Sequence, residues 1–178
     1  MARFGETRVK RIFLAGIIQG SLAEPAIHNQ DYRGRIKALL ARFLPGVRVY
    51  CPITAHPNSL SYDDRKGRRV FLRHIALARD SDLVVAYLPA ASMGTAVELW
   101  EANRRGTPII AITPLALNWA IRYLCDVVVA DLDEFAEACR DGRVARLLDS
   151  PPNRRRAFAR RSTSRCSTGT RRRAARTR

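Results

Sequence analysis

A single carboxylate, Glu98, closes the stretch "SMGTAVE" (92–98), which follows the apolar run "DLVVAYL" (82–88) and opens a helix. A carboxylate in that place can do one of two things. It can cap the helix, since Thr95-x-x-Glu98 has the spacing of a capping box in which Glu98 bonds back to the Thr95 amide. It can also do chemistry, because ligands of open α/β sheets bind beyond the C-terminal ends of the strands. Ser92 offers a hydroxyl, Gly94 leaves amides uncovered, and a helix entrance favours an anion such as phosphate. A helical wheel gathers Ala96, Leu99, Trp100 and Asn103 on one face and puts Glu98 opposite, with Thr95 and Ala102.

Two other loops fall at the same end of the sheet. "AGIIQGS" (15–21) holds Gly16 and Gly20 in a G-x-x-x-G spacing. It lacks the G-x-G-x-x-G dinucleotide fingerprint and the G-K-[ST] of a P-loop, though its glycines let the backbone approach a sugar or phosphate. "PITAHPNSLSY" (52–62) and the two residues after it offer His56, Ser59, Tyr62, Asp63 and Asp64, which read as turn chemistry with helix capping. His28, in the connection "SLAEPAIHNQD", reads as a surface loop residue.

The elements that must position these loops alternate between short β-branched runs and longer helical periods. Strands are expected at 9–16, 47–52, 82–88, 107–113 and 126–131. Helices are expected at 30–44, stopped by Pro45-Gly46, at 63–81, at 95–105, ended by Gly106, at 116–124, and once or twice within 132–150. Strict alternation with right-handed crossovers predicts a doubly wound α/β fold, a five-stranded parallel sheet with helices on both faces (Rossmann- or flavodoxin-like).

Composition places one such domain at 1–150 and an Arg-rich, disordered tail at 151–178, which lacks the apolar residues to bury a core. Of the 32 basic residues 11 are arginines of the tail, which has no acid, so residues 1–150 carry 21 bases against 16 acids. The charge of +16 therefore sits mainly in the tail, the one feature that would contact nucleic acid. Only Lys10, Lys37 and Lys66 are lysine, which fits an arginine-biased genome better than selection for charge. Cys51, Cys125, Cys139 and Cys166 have neither C-x-x-C spacing nor paired histidines, so they read as buried reduced thiols rather than a zinc site or disulfide framework. No apolar run approaches the roughly 20 residues of a membrane span. The N-terminus lacks a signal h-region, and the default location is cytoplasmic.

"IFLAGIIQG", then "DSDLVVAYLPAASMGTAVELWEA", then "GTPIIAI" resembles the nucleoside 2-deoxyribosyltransferase superfamily, which includes nucleoside 5′-monophosphate N-glycosidases. The resemblance covers roughly residues 9 to 135, and S-x-G-x-x-x-E after a buried strand is its most specific part. It implies that Glu98 is the nucleophile that attacks the anomeric carbon. It further implies that Gly16, Ile17, Gln19 and Gly20 line the sugar pocket, and that Ser92 and Gly94 hold the 5′ end or its phosphate. A carboxylate suits that task, because departure of the base builds oxocarbenium character that it can stabilise and then trap. The helix N-terminus would help keep it ionised.

One position departs from the family. The N-glycosidase branch carries an Asp 24 positions before the nucleophile, where this chain has His74. Histidine can act as acid or base near neutral pH, but it cannot accept two sugar hydroxyl bonds as a carboxylate can. It can equally be a plain helix residue. The resemblance implies a nucleoside or nucleotide substrate, no metal or organic cofactor, and a homodimer or higher homo-oligomer whose interface covers Glu98. Hydrolysis and base transfer both remain open, as do a nucleotide-binding sensor without turnover and a nucleic-acid-associated protein.

Overall fold

The computed structural model describes residues 8–19 and 27–151. Gly20, Cys166 and the Arg-rich stretch after Pro151 lie outside the described residues. The expectations of a disordered tail and of nucleic-acid contact through it fall there too.

The elements follow one another as β1 (Arg11–Gly16), α1 (Tyr32–Phe43), β2 (Arg48–Tyr50), α2 (Pro52–Ala55), a 3-10 turn (Ser59–Ser61), α3 (Asp64–Arg79), β3 (Leu83–Tyr87), α4 (Met93–Arg105), β4 (Ile109–Ile112), α5 (Trp119–Leu124), β5 (Val127–Val129), α6 (Leu132–Arg140) and α7 (Arg143–Asp149). All strand pairs are parallel, in the order β2-β1-β3-β4-β5. This is the doubly wound sheet that the alternation predicts. Strand order reverses at the β1/β3 boundary, so a crevice opens beyond the C-terminal ends of those two strands.

Two cores flank the sheet because successive side chains of a strand point to opposite faces. Ile12 and Leu14 of β1 pack with Ile36 and Leu40 of α1 and with Phe135 and Ala138 of α6. Phe13 and Ala15 pack on the other face with Ala78 of α3 and with Leu99 and Ala102 of α4. Val84, Val85, Ile109 and Ile110 are fully buried in the middle strands. Each such side chain contributes roughly 1.5–3 kcal/mol, which holds the strand ends, and hence the loops, in fixed places.

Local chemistry sets the boundaries. Asp63 caps α3 by accepting the Lys66 N–H at 2.7 Å, with Asp64 in the first turn. Gly106, at φ 81°, ends α4 in a left-handed cap that a side chain would strain. α5 starts at Trp119 rather than 116, because Asn118 accepts the Ala120 N–H at 3.0 Å and sets the entrance. α2 has only four residues, too few for a periodic signal, and Pro52 occupies its first position. Cys51, Cys125 and Cys139 are buried and reduced. No described helix is long and apolar enough to cross a membrane.

Candidate functional site

The entrance of α4 differs from a Thr95 capping box. Ser92 is the cap, with extended backbone and its Oγ accepting the Thr95 N–H at 3.4 Å, and the helix begins at Met93. Thr95 therefore stands in the third helical position and Glu98 in the sixth, a full turn past any free amide. The capping reading of Glu98 is corrected by this one shift of register. The wheel is corrected with it. The buried residues of α4 are Thr95, Leu99 and Ala102, while Trp100 is 44% exposed. Glu98 lies with 95, 99 and 102 on the inward stripe, at the i, i+3, i+4, i+7 spacing of one helix face.

The first two members of that stripe, Thr95 and Glu98, line a cavity of about 350 Å³ at the β1/β3 crevice, within the range of small-molecule sites. Gly16, Ile18 and Gln19 supply one wall, and Ser92, Gly94, Thr95 and Glu98 supply a second. Ser59 and Tyr62 close it from the loop after α2, and Val70, Phe71 and His74 from α3. Glu98 is the only carboxylate among the described residues of the lining, and no lysine or arginine is among them. A side chain at Gly94 would project into open space, so glycine there leaves the helix entrance bare.

Burial pushes the Glu98 carboxyl up to about 8, with the Arg33 guanidinium pulling the other way. This reverses the expectation of a carboxylate kept ionised by the helix N-terminus. The dipole acts within the first turn, and Glu98 sits beyond it, so desolvation wins. His74 is 8% exposed, and burial holds it down to about 4, with His56 and Arg73 adding to the effect. It is thus a neutral imidazole at physiological pH rather than a group titrating there. Its Nε2 has no hydrogen-bond partner among the described residues. Its ring meets Tyr50 at 5.8 Å and His56 at 5.3 Å, and His56 Nδ1 lies 3.1 Å from the Tyr62 hydroxyl.

The cavity floor rests on residues that the sequence did not single out. Tyr32 stacks on Tyr87 with ring centroids 4.1 Å apart and donates to the Ile17 carbonyl at 3.3 Å. Gly16 must be a glycine for this packing, since a Cβ there would stand 2.4 Å from the Tyr32 hydroxyl. Arg33 is only 3% exposed and donates to the carbonyls of Leu14 at 2.9 Å and Gly16 at 3.2 Å. A signal for it existed. Arg33, Ile36 and Leu40 fall on one helical stripe, so the guanidinium had to point inward with the two aliphatic residues.

The residues expected at the site divide as follows. Gly16, Gln19, His74, Ser92, Gly94 and Glu98 share the cavity. Ile17 does not line it; its side chain is 1% exposed in the core under β1 and β3. Gly20 is outside the described residues. Ser59 and Tyr62, read from sequence as turn residues, stand in the wall. His28 is half-buried rather than a surface loop residue, with its Nε2 enclosed.

Two of the solved structures that resemble the chain bear on its fold. One is a conserved protein from Enterococcus faecalis V583, 21% identical, with a TM-score of 0.51 over 75% of this chain and 98% of that chain. The other is a 2-deoxyribosyltransferase from the psychrotolerant bacterium Bacillus psychrosaccharolyticus, 19% identical, with a TM-score of 0.53 over 71% of this chain and 90% of that chain. The chain has a nucleoside 2-deoxyribosyltransferase-like fold. No protein-family model matches the sequence, and no curated protein matches it either. At such identities the likeness speaks for the architecture, and a 2-deoxyribosyltransferase-like sheet can carry many chemistries. What chemistry the fold carries is set by the residues of the cavity.

Proposed function

We propose that the chain breaks an N-glycosidic bond of a nucleoside or nucleoside 5′-monophosphate, with Glu98 as the nucleophile. One observation carries the reading: the only carboxylate among the described lining residues is freed from any capping duty and turned into a cavity at the strand-order switch point. In the first step a Glu98 carboxylate oxygen bonds to the anomeric carbon as the carbon–nitrogen bond breaks. The electron pair leaves with the base, which takes up a proton. Water, or a second base, then displaces Glu98 and restores the carboxylate. The proposal gives the sugar to Gly16 and Gln19 and the 5′ end to Ser92 with the bare entrance at Gly94, all of which line the cavity. Incubation with a panel of nucleosides and 5′-monophosphates, scored for free base, tests the reading. No release from any member, by a protein that binds them, would favour a nucleotide-binding sensor. The neutral His74 and the raised Glu98 carboxyl favour that second reading.

His74 is proposed to contact substrate through its Nε2, which has no hydrogen-bond partner among the described residues. His74→Asp puts a carboxylate at the place where the resembling branch carries one. It is expected to change relative kcat/KM between ribo- and deoxyribo-substrates by about tenfold or more, with circular dichroism unchanged. Equal kinetics across the panel would remove His74 from the site.

A homodimer is proposed as the working form. Met93 (81% exposed), Leu117 (85%), Trp119 (75%) and Tyr123 (57%) leave large apolar groups in water at the start of α4 and just before and along α5. Met93 also lines the cavity, so a partner covering this face would narrow its mouth. Trp119→Arg is expected to shift the protein from dimer to monomer in light scattering. A wild-type protein that is monomeric at tens of micromolar, as an order of magnitude for such interfaces, would overturn the proposal.

A further inference from the structure

We infer that Arg33 is a positioning residue for Glu98: its guanidinium makes the strand-edge bond to Leu14 that Pro52 cannot, takes the Gly16 carbonyl as well, and so fixes the end of β1 and sets a buried positive charge beside the cavity. The inference rests on the reading of Glu98 as nucleophile. The β1 carbonyls that face β2 follow a period of two, beginning with Lys10, which accepts the Arg48 N–H at 2.9 Å. Continued along the parallel register, in which Phe13 pairs with Tyr50, Leu14 would accept from residue 52. Residue 52 is proline and has no N–H. The pairing of β1 with β2 stops there, and Arg33 donates instead to Leu14 and to the next carbonyl in the row, Gly16.

A backbone donor would have met that need without a charge. Arg33 brings a cation that is 3% exposed and has no carboxylate within ion-pair distance among the described residues. Two further donors go to Gln30 Oε1 at 2.6 Å and to Cys51 Sγ at 3.7 Å. A buried, uncompensated charge is costly to a fold. Gly16, held by Arg33, forms the cavity wall that Glu98 also lines. Among the described residues, the titratable groups around Glu98 are Arg33 and Tyr32 from α1, Tyr50 from β2, His74 from α3 and Tyr62 from the loop, with Arg73 acting on Tyr50 and His74. Among these, Arg33 is the charge that draws the Glu98 carboxyl downward. Arg33 thus offsets part of the desolvation from a distance and leaves the carboxyl oxygens open to substrate.

Pro52 supplies the control. In P52A the alanine N–H can reach the Leu14 carbonyl, so R33M/P52A removes the charge and keeps a donor at the strand edge. The Glu98 carboxyl carbon, labelled with carbon-13 and assigned by its loss in Glu98→Gln, is titrated from pH 5 to 10 in P52A and in R33M/P52A. The midpoint is expected to rise by about one pH unit in the double variant. The acid limb of kcat/KM is expected to move to higher pH by the same amount. R33K/P52A, which keeps a charge but loses the fork, is expected to hold the P52A midpoint. An unchanged midpoint in R33M/P52A, or an equal rise in R33K/P52A, would overturn the inference. R33Q/P52A serves as a second neutral variant should methionine not be accepted by the fold. Base release that survives in Glu98→Gln would instead sink the nucleophile reading and leave the titration result standing.

Discussion

Glu98→Gln is expected to lower base release by at least about three orders of magnitude while nucleotide binding persists. Gln keeps the shape and the hydrogen-bonding size of the side chain but has no anionic oxygen with which to trap the anomeric carbon. The loss should therefore appear in kcat far more than in KM. The substitution is clean because Glu98 makes no cap. Ser92 already holds the Thr95 N–H, so nothing at the helix entrance changes. An electrostatic role without a covalent bond would lose less and would leave no glycosyl-enzyme to capture by rapid quench. Release from Glu98→Gln at close to the wild-type rate, on a substrate that the parent accepts, would end the proposal.

The scaffold was readable because its signals are long and redundant. The inner strands β3 and β4 are apolar almost throughout, as strands covered on both faces should be. α3 carries its own start signal in Asp63 and Asp64. The site was less readable, for reasons that differ from residue to residue. Thr95-x-x-Glu98 has the spacing of a capping box, but Ser92, three residues earlier, takes the cap because the chain is already helical at Met93. That three-residue difference decided whether Glu98 was a cap or a cavity group. Arg33 was missed because arginine is expected in water. Its reason for being inside, a missing N–H at Pro52, lies in another strand and emerges only with the register. Tyr62 and Ser59 reach the cavity through α2 and the 3-10 turn, elements too short to leave a period in the sequence.

Glu98→Gln is also expected to melt higher than the wild type at alkaline pH and no higher at acid pH. The sign follows from where the proton sits. In the folded protein burial pushes the Glu98 carboxyl from 4.5 up to about 8, and in the unfolded chain it returns to the ordinary value. Between those limits the native state holds a proton that the unfolded state has released, so wild-type stability falls as pH rises through this window and levels off above about 8. Each pH unit is worth at most about 1.4 kcal/mol, and partial exposure of the residue keeps the real slope below that. Glutamine carries no such proton, and His74, whose depressed value acts with the opposite sign at acid pH, is common to both proteins and cancels in the difference. For a domain of this size one kcal/mol corresponds to about 2–4 °C. The variant should therefore gain at least about 5 °C in Tm over the wild type at pH 8, and the gain should shrink to nothing near pH 5. Parallel Tm curves for the two proteins from pH 5 to 8 would mean that Glu98 titrates as an ordinary surface carboxylate. A loss of stability on substitution, uniform in pH, would mean that the carboxylate is held by bonds the neutral amide cannot keep. The expected outcome is a site that costs the fold stability whenever Glu98 is ionised, and ionised is the form in which Glu98 can attack a sugar.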